Sequence, residues 1–296
     1  MGNQPTLIIG CGQVGRHLAG ILANEAVTGL VRSSQSESTL REQGISALRC
    51  DLDRRVAVEL PTENADIYYL APPPREGTRD TRLRNFLAAL EQCGQPRRLV
   101  YLGTTGVYGD CAGEWVDETR PIRPKAERAL RRADAENQLR QWQRRTNAEL
   151  VLLRVASIYG PGKLPLQRLR AGRPMIPPRQ APWSNRIHLE DLLQVLLAAM
   201  RRGRNGEIYN VSDGQPGNMA DYFNAVADWA GLPRPPTIDI DEQARLSAGL
   251  RSYLAESRRI DNHKMLKELG IELRYPTLQA GLAACFEDRG GIMASD

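Results

Sequence analysis

Three glycines, Gly10, Gly12 and Gly15, stand at G-x-G-x-x-G spacing with Gln13 and Val14 between them, directly after the apolar run Thr6 to Ile9. A strand turning into a helix on this spacing forms a phosphate cradle. The first glycine permits the tight turn, the second lets bare backbone approach a pyrophosphate, and the third lets helix pack closely on strand. The alternative for the same residues is a tight turn with no ligand. About twenty residues further on, where an NAD site offers an acidic side chain to the ribose, the chain reads Leu30-Val31-Arg32-Ser33-Ser34. Arg32 and Ser33 supply a charged fork and a hydroxyl that suit a 2′-phosphate. The expected cofactor is therefore NADP rather than NAD, and the expected chemistry is hydride transfer.

Holding such a cradle requires an α/β frame, and the apolar pattern provides one. Short runs at Thr6 to Ile9, Val27 to Val31, Ser46 to Arg49, Ile67 to Leu70, Arg98 to Leu102 and Glu149 to Arg154 read as strands. Helical patterns at Val14 to Asn24, Thr39 to Gln43, Asp53 to Leu60, Arg79 to Cys93 and Lys125 to Arg145 separate them. This alternation predicts a Rossmann-type, doubly wound parallel sheet covered on both faces. Beyond residue 160 the pattern loosens into Gly, Pro and Arg, then a helix, a strand and further helices. The expectation is an NAD(P)-binding domain over 1–160 and a smaller C-terminal substrate lobe over 161–296, with segments of the latter returning to the core.

Lys stands only at 125, 163, 264 and 267, so Arg makes up the rest of the 40 basic residues. The net charge of +5 arises from bases interleaved with acids, as over 127–136, with no basic stripe and no aromatic interleaving; nucleic acid is not an expected partner. Five cysteines without a CxxC pair read as reduced thiols of a cytoplasmic protein. No apolar run approaches membrane-span length, and no charged, apolar leader opens the chain. No His, Cys or carboxylate cluster has metal-ligand spacing, and no G-x-S-x-G elbow is present. His17 and His263 read as helix-surface residues.

With the glycine loop in place, several later stretches resemble the extended short-chain dehydrogenase/reductases, also called NAD-dependent epimerase/dehydratases. Asp51-Leu52 is similar to the acidic position that hydrogen-bonds the adenine, and Leu70-Ala71-Pro72 to the strand end that lies against the cofactor. "YLGTTGVYGD" (101–110) is similar to the fifth strand and active-site loop, "RVASIYGPG" (154–162) to the nicotinamide-side loop, and "NRIHLEDL" (185–192) to the opening of the substrate lobe. "YNVSDG" (209–214) and the stretch 266–282 resemble the closing strand and helix. The resemblance implies cofactor contacts from Thr104, Ala156 and Ser157, and substrate contacts from Tyr159, Asn185, Arg186 and His188. Trp183 is a further candidate for the pocket wall.

The family's Tyr and Lys, four residues apart on the long helix, are missing. Aligning Ala135-Glu136 with the Ala-Glu that follows the motif puts Arg128 at the Tyr position and Arg132 at the Lys position. A guanidinium stays charged near neutral pH and cannot cycle a proton. Arg132 retains the capacity to hold a ribose or phosphate as Lys would. Thr104 occupies the hydroxyl position of the triad, and Tyr108 is the nearest substitute acid, with Tyr159 and Lys125 as others. Arg128, Arg131 and Arg132 form either a solvated helix face or a face toward an anionic substrate.

Three functions remain open. One is an NADP-dependent oxidoreductase or epimerase acting on a polar substrate such as a nucleotide sugar. Another is a catalytically inactive NADP-binding regulator. The third is a nucleotide-sugar-binding protein with negligible catalysis. The resemblance also implies a homodimer through the long helix, whose Ala126, Ala129, Leu130, Ala133, Leu139 and Trp142 make a modest apolar stripe; the alternative is that this stripe packs only on its own sheet.

Overall fold

The computed structural model describes residues 4–22, 25–146, 148–239, 241–242, 246 and 248–287. The first half runs β1 (Thr6–Ile9), α1 (Gln13–Ile21), β2 (Val27–Val31), α2 (Ser34–Glu42), β3 (Ser46–Arg49), β4 (Asp66–Tyr69), α3 (Thr81–Cys93) and β5 (Arg98–Leu102). A 3-10 turn (Thr105–Tyr108), β6 (Trp115–Val116), α4 (Glu127–Thr146), β7 (Glu149–Val155) and β8 (Ser157–Tyr159) follow. The remainder comprises α5 (Leu166–Arg170), β9 (Trp183–Ser184), β10 (Arg186–His188), α6 (Leu189–Arg202), β11 (Ile208–Val211), β12 (Gly217–Asn218) and α7 (Met219–Trp229). It ends with α8 (Ala248–Leu254), β13 (Arg259–Ile260), α9 (His263–Leu269) and α10 (Leu278–Glu287).

Seven parallel strands form one sheet in the order β11-β7-β5-β4-β1-β2-β3. This is the Rossmann-type α/β architecture, and alternation along each strand explains it. Ile8, Val100, Val151 and Leu153 point to a layer with Leu18 of α1 and Leu192 of α6. Leu7, Ile9, Leu99, Tyr101 and Leu150 point the other way, to Phe86 of α3 and Trp142 of α4. Both faces are therefore covered, as buried parallel sheets require. Ala129, Leu139 and Trp142, from the apolar stripe of the long helix, are buried, and Leu139 and Trp142 pack against the sheet side chains.

Glu136 and Arg154 pin α4 to β7. Both side chains are 5% exposed, and the guanidinium donates to both carboxylate oxygens, at 3.0 and 2.7 Å. The chain after residue 160 divides its contribution. Helix α6 and strand β11 extend the main sheet and its cover, while α5, α7 and α10 enclose a separate cluster around Tyr159, Phe223 and Leu282.

The segment 53–60, expected to be helical, is not. Asp51 Oδ1 accepts from Asp53 N, Arg54 N donates to Asp51 O, and Arg82 forks both oxygens of Asp53. Val56, Val58 and Leu60 then meet the core at every second residue, an extended period that a helix would not present. The first helix runs Gln13–Ile21; the expected end at 23–24 lies outside the described residues.

The sheet order reverses between β1 and β4, and the crevice beyond their carboxyl ends is where open α/β sheets bind ligands. Gly10 follows β1 there with φ +79°, and a Cβ on it would fall 2.5 Å from the Ala71 Cα. A Cβ on Gly15 would press on Ile8 and Cys11 at 3.1 and 3.2 Å. Gly12 differs: a Cβ would meet only the Gly10 carbonyl oxygen, at 3.9 Å. In urea unfolding, Gly10→Ala is expected to cost about 2 kcal/mol or more, whereas Gly12→Ala should change stability by less than about 0.5 kcal/mol.

Candidate functional site

Two adjoining cavities, each of about 400 Å³ and sharing Pro73, open along the carboxyl ends of the strands. Gly10, Gly12, Arg32, Asp51, Leu52, Ala71 and Pro72 line the first. Arg32 is 66% exposed, and its Asp53 neighbour, at 3.7 Å, is held by the Arg82 fork at 2.6 and 2.7 Å. Arg82 also donates to the carbonyls of Pro72 and Pro73, so it fixes the cavity floor. Ser33 caps α2 by accepting from Ser36 N, and Ser36 is the serine on the wall. Gln13 reaches across to donate to Pro161 O at 3.0 Å, tying the glycine turn to the 160–162 loop. Val14 and Leu70 pack into the core beneath.

Thr104, Ala156, Ser157, Asn185, Arg128 and Arg132 all meet on the second cavity. Thr104 Oγ1 accepts from Gly106 N at 3.1 Å, which leaves its proton free to be donated. Arg132, one helical turn after Arg128, donates to Tyr101 Oη and Leu102 O, both at 3.2 Å. Arg128 is 30% exposed, stacks 4.2 Å over the Tyr253 ring, and bonds Ser252 Oγ, Ser252 O and Glu256. Arg131 takes the opposite course: it is buried and donates to Gly77 O. The solvated-face expectation thus fails for all three arginines, because each finds a protein partner.

Four other sequence candidates are brought to neither cavity wall. Tyr108 is 1% exposed, donates to Asn210 Oδ1 at 2.8 Å and lies under Arg154, 4.8 Å from its ring. Burial pushes its phenol up to about 12, against the pull of Arg154. Tyr159 packs in the small-lobe cluster and donates to Thr277 O. His188 is fully buried, caps α6 through Nδ1, and is held below the usual imidazole range by burial. Arg186 is buried, donates to Ser184 Oγ and Asn218 O, and stacks on Tyr222.

Asn185 does reach the wall, and both ends of its amide are used. It donates to Arg258 O and accepts from Ile260 N, at 3.0 and 2.8 Å. Through it the segment before β13 brings Glu256 and Arg258 to the cavity. Sequence reasoning missed both, along with Arg82 and Tyr253. No motif marks them, and Arg258 stands 130 positions after Arg128 in the chain. Among the described residues, no cluster of His, Cys, Asp or Glu is arranged to hold a metal ion.

This site belongs to a fold with known relatives. Residues 6–212 match the NAD dependent epimerase/dehydratase family. The chain belongs to that family. A functionally unknown conserved protein from Silicibacter pomeroyi DSS is 34% identical over 96% of this chain and 99% of its own, with a TM-score of 0.81. UDP-glucuronic acid 4-epimerase from Bacillus cereus, solved with NAD, shares the fold at 15% identity and a TM-score of 0.74, covering 98% of this chain and 100% of its own. UDP-glucose 4-epimerase of Thermotoga maritima, solved with UDP-glucose, does so at 18% and 0.76, covering 96% and 98%. Human dTDP-D-glucose 4,6-dehydratase is 25% identical over 122 residues, which span 38% of this chain and 35% of that protein. The chain thus spans about a third of the length of the curated relatives it matches.

Two consequences are measurable. Tyr108→Phe leaves Asn210 Oδ1 without its buried donor and is expected to lower stability by about 1–3 kcal/mol while leaving ligand binding in the second cavity unchanged. Burial pushes Asp213 up to about 6, against the pull of Arg186. The folded chain therefore holds a proton that the unfolded chain releases near its ordinary value of about 4. Between those values folded protein binds more protons, so this group's contribution to stability falls as pH rises, by up to about 3 kcal/mol. In urea unfolding at stepped pH, Asp213→Asn should remove that decline relative to the wild type.

Proposed function

We propose that this chain is an NADP-dependent oxidoreductase or epimerase of the family, acting on a polar substrate such as a nucleotide sugar. The observation that carries the cofactor half is Gly12. The fold leaves room for a side chain there, at the mouth of the first cavity, so the bare backbone serves an approaching ligand. The amino end of α1 faces the same space and favours a pyrophosphate. Arg32 supports NADP: it is exposed at the end of β2, and its neighbouring carboxylate is already neutralised by Arg82. When bound, the nicotinamide supplies the hydride exchange.

The chain's own groups bind and orient. Asp51 faces the adenine end, Ala156 and Ser157 flank the nicotinamide end, and Arg132 takes the ribose or phosphate that a Lys would hold. Thr104 donates a hydrogen bond from its free hydroxyl to the substrate oxygen. Tyr108 is sequestered, so in this proposal proton transfer passes through water held at Thr104. Loss of a positioned acid costs about 10²- to 10⁴-fold in rate, which slows such a reaction without abolishing it. The permanent charge of Arg128 favours a second reading, an NADP-binding regulator without turnover. Cys11, Cys50, Cys93 and Cys111 are free thiols, in keeping with a reducing, cytoplasmic setting. No helix among the described residues is long and apolar enough to cross a membrane.

Calorimetric titration of the cofactor-stripped protein with NADP, NADPH, NAD and NADH tests the cofactor site. The expected result is tighter binding of the phosphorylated pair, weakened about tenfold by Arg32→Ala with NAD unaffected, a loss of about 1.4 kcal/mol. Gly12→Val should weaken all four. Absence of binding overturns the dinucleotide site, and equal affinity for NAD and NADP overturns the preference. Binding of the cofactor with neither a net absorbance change nor formation of an epimer across a panel of nucleotide sugars decides for the regulator.

A further inference from the structure

The second cavity carries more positive charge than its own partners neutralise. Arg128, Arg132 and Arg258 line it, and Glu256 is the one carboxylate among the lining residues. Glu256 is shared: Oε1 lies 3.3 Å from Arg128 Nη2 and Oε2 lies 3.0 Å from Arg258 Nη1. Counting these four groups, the wall carries a net charge of +2 in a half-enclosed space, where charges are screened less than at an open surface.

These guanidiniums are also fixed in place. Arg128 is stacked on Tyr253 and bonded to Ser252, and Arg258 donates to Gly109 O at 2.7 Å while Asn185 holds its carbonyl. Donors remain unspent. Arg258 Nε is buried without a hydrogen-bond partner, and its Nη2 lies 4.0 Å from where a Cβ on Gly106 would sit, with no partner among the described residues. A buried charged donor left unpaired is costly, so rigid, unspent guanidinium donors beside the free Thr104 hydroxyl call for an acceptor that also carries negative charge. Planar forks match carboxylate and phosphate oxygens.

We propose that the second cavity is an oxyanion-binding site, in which Arg128 and Arg258 clamp a carboxylate or phosphate group of the substrate beside Thr104. Resting on the cofactor reading above, this places the anionic group next to the nicotinamide end of the cleft and defines the substrate class as a polar anion.

The test is calorimetric titration of NADP-saturated protein with malonate and, separately, with inorganic phosphate, since NADP blocks anion binding at the glycine turn. Wild type is expected to bind at least one of the two in the millimolar range, and the tighter of the two identifies the group. Arg128→Gln and Arg258→Gln should each weaken it about tenfold. Glu256→Gln, which keeps one accepting oxygen and removes the opposing charge, should tighten it, a gain that damage to the fold would not produce. No binding of either anion by wild type, equal affinity in wild type and Arg128→Gln, or weaker binding by Glu256→Gln overturns the proposal. Failure of the cofactor reading shows separately, as absence of NADP binding in the first titration. The anions are then scored on the same variants in an Arg32→Ala, Gly12→Val background.

Discussion

The approach of Gly10 to Ala71 is the contact on which the cleft depends. Strands β1 and β4 are neighbours, yet the chain leaves β1 toward β2 and leaves β4 toward β5, so the two segments diverge just beyond the sheet. Where they part, backbone lies on backbone with no room for a Cβ, and Gly10 accepts a positive φ to make the turn. The turn is held from both sides: Gly10 and Cys11 donate to Leu30 O, and Leu70 donates to Ile9 O. Three of the backbone N–H groups at the divergence thus find partners, which helps a buried turn end in an open crevice.

At the crevice and at the opposite end of the sheet, arginine forks do much of the positioning. Arg82 joins Asp53 to the Pro72 and Pro73 carbonyls, Arg98 joins Glu149 to the end of α6, and Arg154 joins Glu136 on α4 to β7 beneath Tyr108. A planar group with five donors can satisfy a carboxylate and one or two carbonyls at once, which a lysine ammonium on a flexible stem does less rigidly. The Arg-rich composition is therefore structural over much of the molecule. The second cavity stands apart, since three guanidiniums there face one carboxylate.

Much of the first cavity was legible in sequence, because its contacts are local. Gly10, Gly12 and Gly15 act within six residues, Arg32 follows β2 directly, and Asp51 follows β3; chain order places all of them at one end of the sheet. The failed helix over 53–60 shows the limit. Its apolar residues are spaced by two, and the distant Arg82 side chain takes the Asp53 carboxylate, a partner that no local pattern reveals. Tyr108 shows the same limit for chemistry: the loop lies where the motif puts it, but the phenol turns inward to Asn210, 102 positions away.

Alternating apolar runs and the glycine spacing, both visible in the sequence, determine the parallel sheet, its two covered faces and the tight turn after β1, since each depends on the period of neighbouring residues. The sequence also puts an arginine, Arg128, at the α4 position where the resemblance expects the proton-carrying Tyr. Only the tertiary structure decides what surrounds that arginine. Tyr253, Glu256 and Arg258 arrive from a segment more than 120 positions away, held by the Asn185 amide. Charge, unlike apolar periodicity, is read by whichever group happens to lie within a few ångströms, and that distance exists only once the chain has folded.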